Sequence, residues 1–269
     1  NTFPKHFAKR VRMCVALIIT TTITKQTGNQ TMKTSNNQPM CGRDMNAATL
    51  DLMLKMRLYG MRDAFTASLN STFAENMTPD AFVASLVSSE WDYRNDKMIA
   101  RLTKLADFRY NANIEDVDYK MARGLDRNQI ERLATMDFIR EDQNVIITGP
   151  SGVGKSWFAT AYGRKACEIG IKTLYANTQK LMNKLKGAKT RGTYEQEMKK
   201  MEKVQLLILD DLFLIGLDAK ERAILMDIVE DRHGRKSMIL TSQVPVSGWY
   251  EAIGDPTIAD AILDRIVHT

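Results

Sequence analysis

Apolar residues recur at helical spacing over residues 49–69, where Leu50, Met53, Leu54, Leu58, Met61 and Phe65 share one face. The run "TPDAFVASLV" predicts a second helix, with Thr78 as N-cap and Pro79 at the first helical position, where its missing N–H costs nothing. Met98, Ile99, Leu102, Leu105 and Ala106 continue a helical stripe, with Arg94, Lys97, Arg101 and Lys104 forming a basic strip on the solvent side. Asp126 can cap a further helix carrying Ile130, Leu133 and Ala134. Residues 45–140 are therefore expected to be an all-helical domain.

The period changes at residue 144. "NVIIT" is a short β-branched apolar run, followed by a glycine-rich turn and a helix that Gly170 can end. "KTLYAN" (172–177), "VQLLILDD" (204–211) and "SMILTSQ" (237–243) read as further strands. Between them, "TQKLMNKLKGAK" starts a helix capped by Thr178, and "LDAKERAILMDIVEDRHG" carries a capping box, Asp218 to Glu221, with Ile224, Leu225, Ile228 and Val229 on its apolar face. In "GDPTIADAILDRIVHT", Asp255 caps a helix with a stripe of Ala259, Ile262, Leu263 and Ile266. Strands alternating with helices predict an α/β fold, a parallel sheet flanked by helices over residues 141–269.

Composition changes this picture little. The chain has 269 residues, 44% hydrophobic and 26% charged, enough for one large domain or two modest ones. The formal charge of +6 permits a polyanion partner without demanding one. Cys14, Cys41 and Cys167 are isolated, which supports neither a disulfide framework nor a zinc site and fits a reduced cytoplasmic protein. Residues 1–44 carry no acid before Asp44 and are expected to be a disordered or artefactual basic extension, with a natural start at Met45. "KHFAKRVRMCVALIITTTI" (5–23) faintly resembles a secretory signal, but lacks a small-residue cleavage site and is too short to span a bilayer.

Candidate chemistry centres on "GPSGVGKS" (149–156), a full match to G-x-x-x-x-G-K-[ST] with a strand before it and a helix after. Its glycines let backbone N–H groups turn inward onto phosphate oxygens, and the helix adds its positive end. The nucleotide-binding set is Gly149, Pro150, Ser151, Gly152, Val153, Gly154, Lys155, Ser156 and Trp157. Lys155 would reach the β- and γ-phosphates, and the Ser156 hydroxyl would ligate Mg²⁺. Asp210, ending a hydrophobic strand, is the second metal-side group. Asp211 can polarise an attacking water, although a turn cap would also explain it. Two adjacent acids favour hydrolysis over transfer to a small acceptor. Thr241, Ser242 and Gln243 end the next strand, where ligands of open α/β sheets sit. One of them orients the water or reads the γ-phosphate; spacing does not separate them, and Ser242 is favoured. Arg265 could stabilise γ-phosphate charge in a neighbouring protomer, although an ion pair with Asp264 or Asp260 explains it more simply.

The strings "GPSGVGKSWFATAYGRKACEIG", "LLILDD" and "IVEDRHGRKSMILTSQVPVSGWYEAIGDPTIADAILDRIVH" resemble the IstB-like transposition helper ATPases, relatives of the DnaC helicase loaders in the AAA+ superfamily. "TLDLMLKMRLYGMRDAF" matches more loosely. The resemblance implies a Mg²⁺-dependent ATPase of an insertion sequence, which oligomerises on double-stranded DNA and presents it as target to a transposase. It implies that Lys155 and Ser156 contact nucleotide and Mg²⁺, that Asp210 and Asp211 form the Walker B pair, and that Arg265 acts in trans. It also implies a chain longer than one ending at Thr269. DNA binding without sequence choice fits phosphate contacts. The candidates are Arg94, Lys97, Arg101 and Lys104, and a loop-rich segment with Lys184, Lys186, Lys189 and Arg191.

The nearest competing reading is a DnaC-like replicative helicase loader, which the "IGDPTIADAILDR" string opposes. A P-loop small-molecule kinase would gain nothing from the acid doublet. No N-K-x-D motif supports a GTPase, and no L-S-G-G-Q motif a transporter ATPase. A DNA-binding scaffold that holds ATP without turnover stays open.

Overall fold

The structure, a computed structural model, describes residues 42–70, 77–119 and 125–267, with side chains from residue 45 onward. The expectations for residues 1–41 lie outside the described residues. From Met53 onward the chain forms one compact unit. Among the described residues no helix is long and apolar enough to cross a membrane.

The expected helical stretch over residues 49–69 is two helices, α1 (Gly42–Lys55) and α2 (Tyr59–Leu69). Arg57 takes a left-handed φ of 59° between them. The reason lies in tertiary packing. Helix α2 lies so close to α3 (Pro79–Ala106) that a Cβ on Gly60 would sit 2.3 Å from the Ser89 carbonyl oxygen. The turn at Arg57 sets α2 at that approach. Helix α3 starts as the sequence predicts, with Thr78 Oγ1 accepting from the Ala81 amide at 3.3 Å and Pro79 at its first position.

Four parallel strands follow: β1 (Val145–Thr148), β2 (Thr173–Asn177), β3 (Leu206–Leu212) and β4 (Ser237–Ser242), in the order β1-β4-β3-β2. The central strand β3 shows why its sequence is a continuous apolar run. Leu206 and Ile208 enter the core beneath α4 (Arg127–Ala134), α5 (Asp137–Arg140) and α6 (Lys155–Glu168). Leu207 and Leu209 point into the opposite core. That second core is closed by α7 (Thr178–Thr190), α8 (Tyr194–Glu202), α9 (Ala219–Arg232), α10 (Trp249–Ile253) and α11 (Pro256–Val267). Period-2 alternation thus feeds two cores, the expected consequence of a sheet covered on both faces. The last turns of α3 join the first side, where Leu102 and Ala106 pack against Cys167 of α6.

Local signals hold at several helix ends. Asp126, Asp255 and the Asp218–Glu221 box cap α4, α11 and α9. Gly170, at φ 85°, ends α6. Two readings are corrected. The cap of α7 is Asn177, whose side chain accepts from the Lys180 amide at 3.3 Å, whereas the Thr178 hydroxyl donates inward to the Asp210 carbonyl at 2.9 Å. The segment carrying Lys184, Lys186 and Lys189 is helix α7 rather than loop. Leu181, Met182 and Leu185 give it a buried face that holds it on the sheet.

Candidate functional site

The turn between β1 and α6 is the phosphate-loop candidate, and it stands at the carboxyl end of the sheet. Gly152 and Gly154 adopt φ values of 84° and 97°, a region that strains any residue with a Cβ. Their turns lead directly into the amino end of α6 at Lys155. Gly149 is tied to the neighbouring strand by donating to the Ser242 carbonyl at 3.2 Å. Lys155 is buried, and its Nζ donates to the Pro150 carbonyl at 2.8 Å, so the ammonium lies inside the loop it belongs to. Ser151 and Val153 are exposed on the rim. Trp157 turns away from the loop and packs edge-on against Phe158, with ring centroids 5.3 Å apart.

Two strands away, the acidic pair is built by a β-bulge. The β3–β4 register changes between Leu209 and Leu212, so that Asp210 and Asp211 together stand opposite Thr241. Asp211 carries the strain as a left-handed φ of 58°. The bulge sends the two carboxylates different ways. Asp210 is fully buried and held by two hydroxyl donors: Tyr175 Oη to Oδ2 at 2.5 Å and Thr241 Oγ1 to Oδ1 at 2.6 Å. Asp211 is half-buried, accepting from Asn177 Nδ2 at 3.3 Å, while its amide donates to Thr241 Oγ1 at 3.0 Å. Burial, then the neighbouring Asp210 charge, push the Asp211 carboxyl above its ordinary pKa; Arg109 and Lys155 pull the other way. Burial and the bond to Asp210 push the Tyr175 hydroxyl well up, leaving it a firm donor.

Of the three polar residues ending β4, Thr241 touches both acids. Ser242, the residue favoured from sequence, does not. Its hydroxyl donates to the Leu212 carbonyl at 2.7 Å and accepts from the Val244 amide at 3.1 Å, so it stitches the strand ends together. Gln243 is half-buried just beyond.

Arg265 sits elsewhere. Its carbonyl is within 3.5 Å of Asn144 Nδ2, just before β1, and Asn144 Oδ1 also accepts from the Met238 amide. It therefore stands at the amino end of β1, about 13 Å of strand from the loop of its own chain. Its ion-pair partner is Glu230 at 2.6 Å, not Asp264 or Asp260; one turn of α11 against α9 brings those side chains together.

The cationic candidates divide. Arg94 pairs with the buried Glu90 at 2.6 Å, and Lys97 lies 4.4 Å from the Tyr93 ring centroid, so both help fasten α2 to α3. Arg101 and Lys104 are exposed, with no carboxylate paired to them among the described residues. On α7, Lys184 pairs with Glu197 at 2.7 Å, Lys186 with Glu221 at 2.7 Å and Lys189 with Asp227 at 3.8 Å. Arg191, just after α7, is exposed.

Sequence reasoning missed Tyr175, Asn177 and Arg109. A tyrosine and an asparagine near the end of a strand were the only signal, and it gains meaning once Asn177 is seen in register with Asp210.

A profile of the family described as "IstB-like ATP binding protein" matches residues 51–269. The chain is 44% identical over 220 residues to a Sinorhizobium fredii protein named as insertion sequence ATP-binding protein y4pL, covering 82% of this chain and 90% of that protein. It is 38% identical over 204 residues to the IS1162 ATP-binding protein of Pseudomonas fluorescens, covering 76% and 88%. Among solved structures, the crystal structure of DnaI superposes with a TM-score of 0.50 at 21% identity, over 58% of this chain and 86% of that one; this likeness concerns the fold.

Proposed function

This chain belongs to the family of IstB-like ATP binding proteins, and from that premise and the geometry above we propose that it is an ATP-dependent, DNA-binding helper ATPase of insertion-sequence transposition. The observation that carries the reading is the pairing of the glycine-turned loop holding Lys155 with the bulged acids Asp210 and Asp211 at one end of one sheet.

In this reading the backbone of residues 149–154 wraps the phosphates, and Lys155 exchanges the Pro150 carbonyl for phosphate oxygens. Ser156 and Asp210 would hold Mg²⁺. The donor set fits that ion, because both groups offer oxygen. One hydroxyl and one buried carboxylate leave the other positions to water and phosphate, as Mg²⁺ prefers. When bound, the ion would neutralise charge developing on the phosphoryl oxygens. Asp211, half-exposed and raised in pKa, is the base that polarises water, and Thr241 fixes both acids relative to each other. Asp211 has no use in simple binding, which favours turnover over a passive scaffold.

Arg265, at the far end of β1 from its own loop, suits a nucleotide held by a neighbouring copy, so ATP would glue adjacent protomers together. Duplex DNA is the partner whose phosphates the basic surface would meet without reading bases. Arg101, Lys104 and Arg191 are the best placed of the eight cations; Lys184 and Lys189 would first have to leave their carboxylates, a small cost for exposed pairs, and Lys186 a larger one, because its partner Glu221 is buried. The helices of residues 45–140 would serve assembly, DNA or transposase contact, in the cytoplasm. A helicase loader built from the same parts is the second reading, favoured only by the DnaI-like fold.

Sedimentation with ATP, Mg²⁺ and random-sequence duplex tests the proposal. It predicts a fast-sedimenting complex that needs both ATP and DNA and that Arg265→Ala weakens. Sedimentation as an unchanged monomer at modest salt contradicts it.

A further inference from the structure

The segment after α3 brings one more cation to the acidic pair, and no part of the mechanism above uses it. Asp107, left-handed at φ 56°, ends α3 and turns the chain back across α6. Three contacts then hold that segment in place. Phe108 packs edge-on to Tyr175, with ring centroids 6.5 Å apart, and lies so close to α6 that a Cβ on Gly163 would come within 2.6 Å of its ring. Asn111 accepts from the Arg164 guanidinium. Glu115 pairs with Lys165 at 2.8 Å.

Arg109 follows the Phe108 anchor directly. Its neighbour across the ring contact, Tyr175, is the residue whose hydroxyl holds Asp210. The Arg109 guanidinium is exposed and lies 5.2 Å from the centroid of the Tyr110 ring, whose face supports a cation without neutralising it. No carboxylate is paired with it among the described residues. Tyr175 stands in β2 beside the acidic strand, so the segment that carries Arg109 lies against the partner of Asp210. A guanidinium that is anchored through its neighbour beside the partner of Asp210, with no carboxylate paired to it among the described residues, has the geometry to fork onto phosphate oxygens.

We propose that Arg109 is a phosphate-contacting residue of the nucleotide site, carried from the helical region of the same chain and selective for the triphosphate. It rests on the nucleotide-binding reading above. Asp210 and Asp211 lie at the sheet end where the terminal phosphate would develop charge, so a cation beside them distinguishes ATP from ADP. It also gives the connector, and the helices before it, a direct sense of which nucleotide is bound.

The test is a fluorescence titration of the full chain with labelled ATPγS and ADP in Mg²⁺, comparing wild type, Arg109→Ala, Arg109→Lys and Lys155→Ala. Loss of one charge-assisted bond is expected to weaken ATPγS about tenfold in Arg109→Ala. ADP affinity should move less than about twofold, and Arg109→Lys should recover part of the loss, because Lys keeps the charge but not the fork. Equal weakening of both nucleotides, or no change in either, overturns the assignment. A wild type that binds neither nucleotide, with Lys155→Ala no different, overturns the nucleotide-binding reading itself, a result distinct from failure at Arg109 alone.

Discussion

The two ends of the same four strands use buried polar groups in opposite ways. At the amino end, the Arg232 guanidinium is almost wholly buried and, among the described residues, has no carboxylate bonded to it. Instead it donates to four carbonyls, those of Met201, Val204, Gln205 and Ser237, at 2.7–3.4 Å. Burial pushes its pKa down to about 10. Asn144 is used similarly, tying α11 and β4 to the start of β1. Almost every bond there ends on backbone, and the result is a clamp. At the carboxyl end, Lys155, Asp210, Asp211 and Thr241 bond chiefly within their own cluster or loop, on strained backbone, and a half-exposed carboxylate remains. Polar groups spent on backbone carbonyls make structure; charges gathered on bulged and glycine-turned backbone are the kind of arrangement found at functional sites.

The comparison can be broken at either end. The largest expected effect is at the carboxyl end: Asp211→Asn removes the base and should lower ATP turnover by about 10²–10⁴-fold. Nucleotide binding should stay intact, so single-turnover hydrolysis beside a binding titration separates the two. At the amino end, Arg232→Ala orphans several buried carbonyls and should cost about 3–5 kcal/mol in urea unfolding, lowering nucleotide affinity only through the folded fraction. Equal stability in that variant would make the clamp ornamental. The smallest effect concerns a paired surface group. Lys184 and Lys200 hold the Glu197 carboxyl down to about 2, so its folded pKa lies below the unfolded value. The stability it lends is present above the unfolded carboxylate pKa and fades as pH falls toward 2. Glu197→Gln should therefore lose less than about 1 kcal/mol at neutral pH and only a small part of that at pH 2, read from urea midpoints at the two pH values.

Features that depend on neighbours in sequence were legible before the structure. The caps at Thr78, Asp126, Asp218 and Asp255, the four strands and the phosphate loop all stand where local chemistry put them. What was hidden depends on residues far apart. The break at Arg57 follows from how near α2 must come to Ser89. The exchange of Ser242 for Thr241 follows from the β-bulge: the extra residue at Asp210–Asp211 moves Ser242 opposite Leu212, and strand β4, buried on both faces, gives no alternation from which to see it. The pairing of Lys186 was hidden because Asp218 and Glu221, which bind it, lie more than thirty residues away. Arg109 and Tyr175 carried no motif; the pairing of β2 with β3 brings Tyr175 to Asp210, and the packing of Phe108 on Tyr175 brings the segment of Arg109 after it.

The central claim is that the carboxyl end of this sheet is a nucleotide site and the amino end is not. Titrating Mg-ATP into wild type, Lys155→Ala and Arg235→Ala, the last an exposed cation at the amino end, tests it directly. Saturable binding that Lys155→Ala abolishes and Arg235→Ala leaves unchanged is expected. Binding that survives loss of Lys155 contradicts it.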